Sequence, residues 1–60
     1  MLFRDIIATY ERDVVAFEKG GDLSDSLFAA LCEYYADEIA FISDDDLPEW
    51  ISDRFQRDIE

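Results

Sequence analysis

The chain has no histidine, one cysteine, one proline, two glycines and only five basic residues against sixteen acids. Without histidine there is no side chain that normally titrates near neutral pH, so histidine-based acid–base catalysis and histidine-activated nucleophiles are excluded. Cys32 alone closes no intrachain disulfide and makes no zinc site, which points to the cytoplasm. Gly20 and Gly21 are the only glycines, and they build no phosphate-binding loop. No apolar run approaches the roughly 20 residues that span a bilayer. Met1-Leu2-Phe3-Arg4 runs straight into Asp5, so no secretory signal is expected. A net charge of −11 would also be repelled by an anionic leaflet, so a membrane partner is not expected.

The most informative absence is local. From Gly20 to Asp53 there is no Lys, Arg or His, while ten acids occur: Asp22, Asp25, Glu33, Asp37, Glu38, Asp44, Asp45, Asp46, Glu49 and Asp53. Uncompensated charge of this density destabilises a compact body by self-repulsion. It therefore serves either solubility or a strongly basic partner.

What is present is apolar material sufficient for a small fold. Half of the 60 residues are hydrophobic and nine are aromatic, which separates the chain from highly charged disordered segments. One domain over residues 1–60 is expected, with marginal stability at this size. Apolar surface left over from so small a core leaves homodimerisation open.

The periodicity is helical throughout. Phe3, Ile6, Ile7, Tyr10, Val14 and Phe17 form the stripe of a first helix over about 2–18, closed by Lys19 and Gly20-Gly21. Arg4, Arg12 and Lys19 balance its acids, so this helix reads as scaffold. A second helix over about 23–42, capped by Asp22 or Ser24, carries Leu27, Phe28, Leu31, Cys32, Tyr34, Tyr35, Ile39, Phe41 and Ile42 on a broad apolar arc. Glu38 falls inside that arc and is expected to meet Arg54 or Arg57, because an unpartnered carboxylate there is costly. Pro48 in a first turn, with Asp46 and Glu49 at capping-box spacing, opens a third helix over about 47–57 whose buried edge is Leu47, Trp50, Ile51 and Phe55. The predicted fold is all-α, a small three-helix bundle.

Chemistry has little to build on. Asp37 and Glu38 are adjacent on a helix and point about 100° apart, so they do not converge on one substrate atom, and no activating base accompanies Cys32. The chain is not expected to be an enzyme or to hold a cofactor. Neither Asp22 nor Asp44 begins the ligand register of a calcium loop, so no metal site is assigned. Direct nucleic-acid binding needs a basic face that five bases among sixteen acids do not make. The inverse is open: carboxylates set along helix faces present a rigid negative track of the kind that a nucleic-acid-binding protein recognises.

Asp22-Leu23-Ser24-Asp25 opening a helix, Tyr34-Tyr35-Ala36-Asp37 within it and an acidic loop soon after resemble a segment of the phage overcome-classical-restriction proteins. Those are helical DNA mimics that occupy the DNA groove of type I restriction enzymes. The likeness covers residues 22–46, with a shorter spacing between its halves and without the acidic tail of that family. It implies a shared strategy, with Asp22, Asp25 and Asp37 at the matching acidic positions.

The expectation is a small phage or mobile-element inhibitor acting in the bacterial host cytoplasm. It would bind the basic nucleic-acid-binding surface of a restriction or CRISPR effector, or of another DNA- or RNA-handling protein. Asp22, Asp25, Glu33, Asp37, Asp44, Asp45, Asp46, Glu49 and Asp53 would supply the field, with Tyr34 and Trp50 as apolar anchors. The alternative is an interaction module, such as an antitoxin, immunity protein or small assembly subunit, that binds through an apolar helix face.

Overall fold

The computed structural model describes residues 2–60; Met1, the first residue of the expected domain, lies outside the described residues. The chain reverses where Gly20 adopts φ +95°, a conformation that L side chains rarely take. The Gly20 amide donates to the Phe17 carbonyl and the Gly21 amide to the Ala16 carbonyl, each at 3.0 Å, the paired pattern that satisfies the last carbonyls of a helix. Gly21 is needed for a different reason: a Cβ there would sit 2.8 Å from the Ala16 oxygen.

The described residues are helical, with no strand: α1 (Phe3–Thr9), α2 (Glu11–Glu18), α3 (Asp25–Tyr34), α4 (Ala36–Ile39) and α5 (Leu47–Ile59). The helix expected over 2–18 is thus divided at Tyr10 (φ −112°, ψ 33°), and the helix expected over 23–42 is divided at Tyr35 (φ −95°, ψ 17°). Neither break empties the hydrogen-bond ladder. Tyr10 still donates to Ile6 and accepts from Val14, and Tyr35 donates to Leu31 and accepts from Ile39. These are bends that wrap each helix around the core, and heptad-like spacing carries no signal for them.

Ser24 caps α3, its Oγ accepting from the Leu27 amide at 3.2 Å. The capping box expected at Asp46 and Glu49 does not form. Asp46 instead accepts from the Ser43 hydroxyl at 2.9 Å, while the Ser43 carbonyl takes the Asp46 and Leu47 amides. The second stretch also stops early: α4 ends at Ile39, so Phe41 leaves the predicted apolar arc and stands 95% exposed.

The core is Ile6, Val14, Leu27, Leu31, Tyr35, Ile51 and Phe55, drawn from every predicted stripe. Phe3, Ile7, Tyr10, Phe17, Phe28, Leu47 and Trp50 pack around it, and α3 lies against both α1 and α5. Among the described residues, no helix is long and apolar enough to cross a membrane.

Candidate partner-binding surface

The acids sit where their local structure forces them out. Asp22 lies in the linker before α3, Asp25 at its first position and Glu33 near its end, Asp37 in α4, Asp44 to Asp46 in the α4–α5 connector, and Glu49 and Asp53 on α5. All nine are exposed. Of these nine, only Asp53 is in an ion pair among the described residues, with Arg57 Nη2 3.1 Å from its Oδ2. Its contribution to the track is therefore partly offset.

The fold brings five of the nine together. Asp46, Glu49 and Asp53 rim a shallow concavity floored by Phe17 and Trp50, and Asp22 and Asp25 rim the next one beside Phe28 and Pro48. Ser52 belongs to both, so the two concavities adjoin across the outer face of α5. Glu33, Asp37, Asp44 and Asp45 lie outside them. No three of these carboxylates converge as a metal-ligand set among the described residues.

The two proposed anchors differ. Tyr34 keeps 42% of its surface exposed while touching Phe3 and Tyr35 at centroid distances of 5.4 and 4.9 Å. Trp50 is half-buried, edge-on to Tyr35 at 5.7 Å and covered by the Arg54 guanidinium at 5.7 Å. It is partly built into the fold, and the rest of it lines the first concavity. The exposed aromatic that sequence patterning missed is Phe41, because the helix ends at Ile39, three residues before the expected end at 42.

Arg54 organises the opposite side of α5. It meets Glu38 Oε1 at 2.7 Å, the partner expected for Glu38 although that side chain lies at the surface, and Asp58 Oδ2 at 3.4 Å. It also lies over the Tyr35 ring at 5.6 Å. Tyr35 donates its hydroxyl to Asp58 Oδ2 at 2.5 Å. Burial, reinforced by the Asp58 carboxylate, holds the phenol well above its ordinary pKa of 10. Burial likewise pushes the Cys32 thiol up, away from the thiolate that nucleophilic chemistry needs.

Eleven net negative charges are spread over a body of 29 × 24 × 21 Å, so the surface as a whole is strongly negative. Comparison with protein family models, with curated proteins and with solved structures finds no match to this chain.

Proposed function

We propose that this protein is a nucleic-acid mimic that inhibits a host DNA- or RNA-handling protein, a restriction or CRISPR effector being the type case, by occupying its basic binding channel. The observation that supports this reading is the exposure of nine carboxylates, of which only one is in an ion pair among the described residues. Twelve acids but only two bases follow Gly20, an imbalance that a strongly basic partner would meet directly. The likeness of residues 22–25 and 34–37 to antirestriction mimics supports the same strategy. Binding works by steering and occupancy, so each carboxylate contributes a little and none is catalytic.

The test is a triple charge reversal, Asp25→Lys, Asp37→Lys and Asp45→Lys, at three exposed positions on separate segments. The expected outcome is loss of partner binding at unchanged helicity, with each single reversal doing less. Wild-type affinity should fall steeply between about 50 and 200 mM salt, as it does when phosphates are the ligand. Binding that survives the triple reversal and ignores salt would transfer the function to the apolar-face alternative.

A further inference from the structure

The outer face of α5 carries a continuous groove. Phe17 and Gln56 line both the Trp50 concavity and a further one at the α2–α3 turn, walled by Gly20, Gly21 and Ile59, while Ser52 joins the Trp50 concavity to the one beside Phe28. The three run end to end along α5, whose 13 residues extend about 20 Å. The floor is apolar: Phe17, Leu23, Phe28, Trp50 and Ile59 are half-buried, each packed against the core while lining the groove. The rim is acidic. Glu18 and Glu60 join the five carboxylates already placed there, and among the described residues no Lys or Arg lines any of the three concavities. Arg57 touches the rim only through Asp53, offsetting that one charge. The exclusion of bases is not general, since Arg12 stands with Glu11 and Asp13 on the wall of the concavity at the α1–α2 bend.

We propose that this groove is the docking site for a basic amphipathic helix of a protein partner, whose apolar stripe covers the aromatic floor while its Lys and Arg side chains meet the carboxylate rim. Charge complementarity selects the sign of the occupant. Nucleic acid, an anionic membrane and a second copy of this chain, which brings the same seven carboxylates, are all repelled. The floor selects against charge alone, because a purely cationic segment leaves Phe17 and Trp50 facing water. The spacing selects a helix. Glu49, Ser52 with Asp53, Gln56 and Ile59 with Glu60 line the groove once per turn of α5, about every 5.4 Å, and a helix laid alongside offers side chains at that same interval. An extended strand offers one to the same face only every 6.6 Å or about that. The fold already holds one cation in this manner: Arg54 lies over the Trp50 and Tyr35 rings while pairing with Glu38 and Asp58. On the groove side, Trp50 with Asp46, Glu49 and Asp53 offers a partner's base the same combination. A basic helix docks here whether or not it handles nucleic acid, so this site stands apart from the mimic reading.

Trp50 is the chain's one tryptophan and lines the groove, so its fluorescence reports occupancy directly. The probe is a synthetic helical peptide of about 14 residues, with leucine at i, i+3, i+4 and i+7 spacing and lysine elsewhere, titrated into the full chain. The emission should shift to the blue. The Kd should be about tenfold tighter than for oligolysine of equal length, or for the same leucine stripe with glutamate in place of lysine. Gln56→Lys sets a positive charge at an exposed position shared by two concavities and should weaken binding about fivefold. Glu33→Gln changes the net charge equally but away from the groove, and should alter binding less than about twofold. Both variants should keep the wild-type circular dichroism. If oligolysine binds as tightly, or if Glu33→Gln matches Gln56→Lys, the face is a diffuse anionic field and the docking site is overturned. Equal binding of the glutamate peptide, no binding of the lysine peptide, or binding that leaves the Trp50 emission unmoved overturns it too. Mimicry is read separately from the triple reversal, two of whose positions, Asp37 and Asp45, lie off this groove.

Discussion

Tyr35 is the residue on which the most interactions converge. Its backbone bends the second helical stretch, its ring is buried between Tyr34 and Trp50, and its hydroxyl reaches Asp58 near the far end of α5. Tyr35→Phe keeps the ring and deletes the hydrogen bond; because Asp58 is partly exposed and can turn to water, the expected loss is about 1 kcal/mol in denaturant unfolding. The pH dependence follows from the raised phenol pKa. Above about pH 10 the unfolded chain releases the Tyr35 proton while the folded protein keeps it, so the unfolded state binds fewer protons and stability falls as pH rises. Alkaline denaturation should therefore begin near pH 10 and be less steep in Tyr35→Phe. Glu38→Gln should be destabilising but milder, since both partners of the Arg54 ion pair are more than a third exposed and solvent screens them. A stabilised Glu38→Gln protein would mean that relieving the net charge outweighs the loss of the pair.

At the scale of elements, the turn between α2 and α3 is the most demanding piece of backbone. Gly20→Ala forces an L side chain into the left-handed region, and Gly21→Ala meets a carbonyl oxygen. Gly20→Ala should cost about 1 kcal/mol and lower the melting temperature by about 4–8 °C, read by calorimetry. No change in Tm would show that this turn relaxes without loss. The helix termini show how much a residue pattern reveals. Gly20-Gly21 and Ser24 act as their types dictate, because caps are local. Asp46 does not act as the spacing suggested, because Ser43 competes for its carboxylate. Phe41 went astray for a related reason: a helical wheel assumes that the helix continues, and the turn after Ile39 ends it.

For the molecule as a whole, the decisive quantity is the imbalance of charge. Among the described residues, all three ion pairs use an arginine of α5 and lie at the surface, where such pairs contribute little. Repulsion among the remaining acids should therefore dominate the response to salt. The melting temperature should rise from low salt to about 0.15 M, where the screening length is about 8 Å. A fall over that range would show that the α5 ion pairs outweigh the repulsion.

The helical class, the buried stripes and the exposure of the acids were legible in the residue pattern, because each depends on a short period or on the cost of burying a single charge. The seven core residues all stand on predicted apolar faces, and Glu38 meets Arg54, one of its two expected partners, although its side chain is 44% exposed. Tertiary structure decided the rest. The bends at Tyr10 and Tyr35 arise where a helix must follow a curved core, and the grouping of Asp22 and Asp25 beside Asp46, Glu49 and Asp53 depends on how α3 lies against α5. Which aromatic would be left in water was likewise settled by packing. Trp50 was drawn under Arg54 and Phe41 was stranded past a helix end, since the core closes around the rings that can reach it together and leaves outside the one that cannot.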